Sequence, residues 1–255
     1  MHGIASGTKR PMVIELTGPA GAGKTTLAQA LAQRDDGFRP GPCIQKHRHL
    51  PWLARSTLGL LPAFFALYRT RGLWLPLESK ELICLDALHQ LVVRESTKDT
   101  KLLILDQGPV YTLTYLRLRG HESVKNGCFT GWWKNSYAKW ASTLHAIVWL
   151  DAPDGVLAHR IRSREKPHEV KDFSDQAIRQ FLHDYRGAYE DVIAALTAHH
   201  GPKLLKLDTE RQTLPEMVDQ VLAVGDHDLP RLNSFRTTVG CPDAYSPVLS
   251  SRLLD

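Results

Sequence analysis

Cysteine is sparse in this chain of 255 residues: there are four, Cys43, Cys84, Cys128 and Cys241, scattered along its length. None has a neighbour at the spacing of a zinc site or a disulfide framework. That excludes both as organising devices and leaves reduced thiols of a cytoplasmic protein as the expectation. The opening residues, Met1 to Arg10, lack the apolar h-region of a signal peptide. Long hydrophobic runs are missing too. The most apolar stretch, Leu58 to Leu67, is interrupted by Gly59 and Pro62 and falls short of the ~20 residues of a spanning helix, so no transmembrane segment is expected. Lys and Arg outnumber Asp and Glu by 32 to 27, for a net charge of +5, but they gather only in short clusters. The concentrated basic stripe that a nucleic acid needs is absent, and no nucleic-acid partner is expected. No internal repeat is visible. Neither the Asn-Lys-x-Asp base-reading motif of GTPases nor the Leu-Ser-Gly-Gly signature of transporters occurs.

What is present begins with composition. The chain is 43% hydrophobic and 23% charged, which suits one well-buried domain with embellishments. Residues 18–25 read Gly-Pro-Ala-Gly-Ala-Gly-Lys-Thr, a complete G-x-x-x-x-G-K-[ST] pattern. The apolar run Met12 to Leu16 leads in, and the helix-forming run Thr26 to Ala32 leads out. Glycines let the backbone curl so that several N–H groups face one anion, and the following helix adds its positive N-terminal end. Lys24 would reach β- and γ-phosphates, and Thr25 would hold Mg²⁺.

Leu102–Leu105, His145–Leu150 and Lys203–Leu207 are continuous apolar runs of the kind buried parallel strands require, and Cys43–Lys46 is a weaker second-strand candidate. Between them lie helical patterns. Glu81 to Glu95 aligns Leu82, Leu85, Leu88 and Val92, and Ser174 to Ala198 carries Ala177, Phe181, Tyr185 and Ala188 at helical spacing. Such alternation predicts an α/β fold, a three-layer doubly wound parallel sheet with helices on both faces. Ligands in such sheets sit beyond the carboxyl ends of the strands. The start, 1–10, is expected to be flexible, and the tail, 225–255, extended or disordered.

Asp106 follows the run Leu102–Leu105 directly, at a strand tip where a carboxylate either holds Mg²⁺ or takes a proton from an attacking hydroxyl. The alternative is a loop Asp that caps the next helix. Further on, Arg160, Arg162 and Arg164 alternate. Residues two apart on a helix point apart, so part of this segment is expected to form a mobile lid whose forks grip a transferring phosphoryl group. The bland alternative is a solvated basic helix end.

Together these motifs resemble a P-loop kinase of the nucleoside-monophosphate-kinase group, most similar to thymidylate kinase. The resemblance rests on Gly18 to Thr26, the strand ending at Asp106, the segment from Leu150-Asp151-Ala152-Pro153 to Arg164, and Asp208-Thr209-Glu210. It covers residues 11–224 and implies the five-stranded P-loop NTPase sheet, ATP with Mg²⁺, a short arginine lid over 160–172, and γ-phosphoryl transfer to a small-molecule acceptor. Carried over, Gly18, Ala20, Gly21, Ala22, Gly23, Lys24, Thr25 and Thr26 serve the nucleotide. Thr25 and Asp106 serve the metal, Arg160 and Arg164 fall where lid arginines fall, and Thr209 and Glu210 begin the loop flanking adenine. Relatives of this kind are often dimers, so a homodimer is implied as well.

One departure is informative. Thymidylate kinases carry an Asp-Arg pair after the third strand, whose arginine grips the acceptor's phosphate; here the pair is Asp106-Gln107. A neutral amide does not replace that charge, which leaves room for an acceptor offering a plain hydroxyl. Lys46, Arg48 or Arg55 would be the substitute cations. The region 47–95, where the family builds acceptor-binding helices, mixes bulky apolar with basic residues: His47 to Trp52, then Leu60 to Arg69. It suits a helix hairpin packed on the core first, an apolar acceptor pocket second, and peripheral docking at a membrane third. Trp133, Tyr137, Trp140 and Leu144 share one helical stripe beside Trp132, and such a stripe is more often core than a stacking platform. His47, His49 and His121 have no metal-site spacing and are expected to be solvated. Two readings compete with a kinase of small molecules: a nucleotide-dependent regulatory ATPase or switch, and a kinase of nucleic-acid ends.

Overall fold

The computed structural model describes residues 11–34, 38–42, 44, 48–72, 75–95, 102–165, 167–198 and 201–226. The flexible start and nearly all of the proposed tail lie outside these residues, as do Cys43, Lys46 and His47.

Five strands form one sheet: β1 (Met12–Thr17), β2 (Phe38–Pro40), β3 (Leu102–Asp106), β4 (Ala146–Asp151) and β5 (Lys203–Asp208), ordered β2-β3-β1-β4-β5. Every neighbouring pair is parallel. The helices are α1 (Lys24–Arg34), α2 (Leu50–Arg71), α3 (Pro76–Glu95), α4 (Pro109–Arg119), α5 (Glu122–Lys125), α6 (Thr130–Thr143), α7 (Asp154–Ser163), α8 (Asp175–Thr197) and α9 (Leu214–Asp226). This is the doubly wound P-loop architecture expected. In β1, β3 and β4 the apolar run is continuous because each strand feeds two cores, whereas β5, expected from Lys203–Leu207 to be buried, is an edge strand in which only Leu207 is buried. Val13, Leu103, Leu105 and Ile147 point to one face, with Leu82, Leu113 and Trp140. Ile14, Leu16, Ile104, Val148 and Leu150 point to the other, with Leu27, Leu31 and Leu157. Full burial of each such side chain stabilises the fold by roughly 1.5–3 kcal/mol.

Three sequence expectations shift. The second strand is Phe38–Pro40, not Cys43–Lys46, of which Ile44 is described and is not in a strand. A three-residue edge strand ending in proline carries no readable pattern; Pro40 is tolerated because an edge needs no second ladder of donors. In α8 the fully buried residues are Ile178, Leu182, Tyr185, Tyr189, Val192, Ile193 and Leu196. The predicted Ala177, Phe181 and Ala188 are only half-buried. The helix serves both cores, Ile178 and Leu182 on one side and Tyr185 to Leu196 on the other, so its buried stripe is broader than one face. Finally, α2 runs unbroken through Gly59 and Pro62. Both residues sit on its exposed side, while Leu60, Phe64 and Leu67 anchor the other side in the core. The lost bond at Pro62 therefore falls where water serves the freed carbonyl.

By length and composition, α2 is the one helix among the described residues able to cross a membrane, over Leu50–Arg69. Its inner face is that of a packed helix: Phe64 meets Phe129 at 5.8 Å between ring centroids, and Gln90 of α3 donates to the Ser56 hydroxyl at 2.9 Å. The tryptophan stripe of α6 is core as expected. Trp133 and Trp140 are buried, and the Trp133 indole donates to the Val124 carbonyl at 2.7 Å.

Candidate active site

Strand register brings the predicted groups together. Leu16 of β1 pairs with Asp106 of β3, Thr17 with Trp149 of β4, and Asp151 with Asp208 of β5, so all four strand tips meet one edge. The loop Gly18–Gly23 leaves β1 at that edge. Gly18 has φ +146°, and a Cβ there would lie 2.1 Å from the Leu150 carbonyl oxygen, so only glycine lets the loop pass β4. Gly23, at φ +86°, turns the chain into α1, whose first bond runs from the Leu27 amide to the Gly23 carbonyl at 3.0 Å. That leaves the amides of the first turn directed at the concave side of the loop.

Lys24 folds over the loop. Its ammonium donates to the carbonyls of Gly18 at 2.8 Å and Pro19 at 2.9 Å. Burial first, and then the Arg164 guanidinium, push its pKa down to about 8, against the pull of Asp106. The Thr25 hydroxyl lies 3.5 Å from Asp106 Oδ2. Burial raises the Asp106 pKa, while Lys24 and Thr25 lower it. Two hard oxygen donors face each other across the loop, and among the described residues no group of three or more His, Cys, Asp or Glu could hold a metal. This donor set fits Mg²⁺, which takes one or two protein oxygens and completes its shell with phosphates and water.

The arginines separate. Arg160 lies within α7, not on a lid. Its fork donates to the Thr209 hydroxyl at 2.8 Å, the Thr209 carbonyl at 2.9 Å and the Gly21 carbonyl at 3.4 Å. It ties the phosphate loop to the loop after β5. The Thr209 amide in turn donates to the Asp151 carbonyl at 2.8 Å, while Glu210 is exposed. Arg162 is turned away onto Asp175 and the Phe173 carbonyl. The helix ends at Arg164, its C-cap, and turns follow at 169–172. Residues 160–163, expected to open a lid, are instead the last turn of α7. The reason is local: Ile161, buried, keeps the helix regular for another turn. The Arg164 carbonyl is held by Lys171 Nζ at 2.6 Å.

Arg48 and Arg55 are exposed at and on α2, and Gln107 is exposed with φ +61°, directly after Asp106. Lys46 lies outside the described residues.

Three features escaped the sequence. Glu15 is fully buried in β1 and accepts from the amides of Val110 at 2.8 Å and Tyr111 at 3.0 Å, capping α4 from beneath. Burial raises its pKa to about 8, moderated by those amides. Its carboxyl group therefore fixes the Asp106-Gln107-Gly108-Pro109 turn. A lone acid in an apolar strand was the available signal. His168 is close enough to Arg164 and Lys24 to feel both charges. Burial, then these cations, lower its pKa to about 4. His121 is a helix cap, accepting from the Ser123 amide at 3.1 Å, not merely solvated. Beyond the first turn of α4, the Glu169 carboxylate adds to the upward shifts of the Tyr111, Tyr115 and Tyr185 phenols, and Glu81 adds to those of Tyr111 and Tyr115; Arg119 lies 3.6 Å from Glu169. Burial is the leading cause of each upward phenol shift. Asp151 and Asp154 at the tip of β4 are both held by Arg186 of α8.

The lowered Lys24 pKa has a testable sign. A bound triphosphate favours the ammonium, whereas the free protein loses that proton above about pH 8. Affinity for an ATP analogue is expected to be flat below pH 7.5 and to weaken above pH 8, by up to ~10-fold per unit. Titration calorimetry at pH 7 and pH 9 measures it, and Lys24→Arg should remove the dependence.

A family model described as an AAA domain matches residues 13–200. No curated protein matches the chain. Among solved structures, the YorR protein of Bacillus subtilis, in complex with phosphorylated GDP, is 15% identical. That alignment covers 86% of this chain and 100% of that one, with a TM-score of 0.46. Deoxyadenosine kinase from M. mycoides, with dCMP and a flexible dCDP, is 13% identical over 85% of this chain and 100% of that one, at a TM-score of 0.49. The same enzyme with dCTP aligns at 13% identity over 85% and 100%, at 0.48.

Proposed function

The chain belongs to the AAA-domain family, and from that premise we propose that it is a phosphotransferase, similar to thymidylate kinase in plan, moving the γ-phosphoryl group of ATP to a hydroxyl-bearing small molecule. The observation that carries the reading is Thr25 facing Asp106 at 3.5 Å beside a phosphate loop closed by Lys24. Thr25 and Asp106 would hold Mg²⁺, which when bound neutralises charge on the outer phosphates. The loop amides and Lys24 would bind the β- and γ-phosphates. Arg164, whose charge is felt by Lys24 and His168, would meet the equatorial oxygens, and Arg160 keeps the loop and Thr209 in register. The acceptor oxygen attacks phosphorus as the bond to the ADP oxygen breaks, and the acceptor's proton passes to Asp106 or to water. Catalysis is then mainly positioning and electrostatics.

The groups along α4, five to thirteen residues after Asp106, suit an unphosphorylated acceptor: the phenols of Tyr111, Tyr115 and Tyr185 and the carboxyls of Glu81 and Glu169 outnumber the one cation among them, Arg119. Gln107 brings no charge. Gln107→Arg is expected to improve kcat/KM for a phosphorylated acceptor roughly tenfold and to leave plain alcohols no better. An unchanged ratio, measured by coupled ADP release, would show that other cations already serve. The broader test is a metabolite panel. Acceptor-dependent ADP release supports the kinase. Acceptor-independent turnover that responds to a protein partner would favour the regulatory ATPase, which shares the phosphate loop.

A further inference from the structure

We infer that α2 is a docking surface for anionic lipid bilayers. Its outward face carries Leu50, Leu58, Leu61, Phe65 and Tyr68, each between 48% and 67% exposed. At 3.6 residues per turn these positions, with Ala54, fall within an arc of about 80°. The spacing is that of an apolar face meant for a surface. The helix is not free to span a membrane, since Ser56, Leu60, Phe64 and Leu67 on another side are buried in the protein. A helix held by one face and apolar on another suits the interface between headgroups and acyl chains.

Charge selects the occupant. From residue 37 to residue 77 the sequence has no Asp or Glu, while Arg39, Lys46, Arg48, Arg55, Arg69 and Arg71 fall within it. On α2, Arg55 and Arg69 are exposed and lie on one flank of the apolar stripe, roughly 60–100° round from its centre. A second copy packed symmetrically on this face would bring these cations together with no acidic residue from either α2. A layer of lipid phosphates and carboxylates supplies the opposite charge along the whole helix. Each basic residue near such a surface strengthens partition by roughly fivefold.

The test uses the full chain and sedimentation with vesicles of phosphatidylcholine alone or mixed with phosphatidylserine. Binding to the mixed vesicles is expected to exceed binding to the neutral ones by about tenfold or more, and to weaken with salt. Phe65→Ser with Leu61→Ser should reduce it by about tenfold or more. Arg69→Glu should reduce it by a comparable factor and flatten the salt dependence. Unchanged ATP-analogue affinity in the Phe65 and Leu61 variants confirms that they fold. No preference for mixed vesicles overturns the proposal. Vesicle-indifferent protein that the Phe65 and Leu61 changes convert from dimer to monomer shows a self-association face instead. Equal binding to polyaspartate that ignores Phe65→Ser shows only a basic surface and also overturns it.

Discussion

Lys24→Ala is expected to abolish measurable phosphoryl transfer, a loss of about 10³-fold or more in kcat/KM, equivalent to ~4 kcal/mol. The magnitude follows from position. Lys24 is the cation lying over the phosphate loop itself, at 2.8 Å and 2.9 Å from its carbonyls, and no other ammonium among the described residues reaches it. The fold should survive. Removing the side chain takes away a charge whose burial is already unfavourable, as the lowered pKa shows. Thermal melting of the variant should match the parent or rise slightly, while single-turnover transfer disappears. Retained transfer would remove the loop from the chemistry.

Glu15→Ala is expected to cost stability more than any exposed substitution. It leaves the amides of Val110 and Tyr111 without their acceptor in a fully buried site. Losing two buried bonds and the carboxyl volume should cost about 3–5 kcal/mol, or a fall in Tm of roughly 10 °C for a domain of this size. Activity should fall in the surviving protein too, since α4 and the Asp106 turn lose their underpinning. Glu15→Gln keeps one acceptor oxygen but turns its NH2 toward the other amide, so it should recover only part of either. The pH dependence has a definite sign. The carboxyl titrates near 8 in the folded protein, above its unfolded value of 4.5. Its stabilising contribution is thus complete below about pH 4.5 and is lost as pH rises through 8. The Tm gap between parent and Glu15→Ala should narrow from pH 5 to pH 9.

These two residues mark what was legible in the sequence. Lys24 stands in a pattern whose spacing is set by the anion it wraps, so the motif alone located it. The strands that feed two cores announced themselves as unbroken apolar runs, and Asp106 was found because it ends one of them. Glu15 was not found because its partners are amides 95 and 96 residues away, joined only by the β1–β3 pairing. Arg160 was assigned to a lid on spacing; its true partners, Gly21 and Thr209, come from other elements. His168 matters through Arg164 and Lys24, again across the fold. The short β2 and the run of α2 through Pro62 were hidden because edge position and solvent exposure excuse residues that would break a central strand or a buried helix.

The most direct test is a structure of the protein with a non-hydrolysable ATP analogue and Mg²⁺. The account predicts the β- and γ-phosphates seated on the amides of residues 21–25, Lys24 swung from its carbonyls onto them, and the metal held beside Thr25 and Asp106. An analogue bound elsewhere, or Asp106 turned away from the loop, would contradict it.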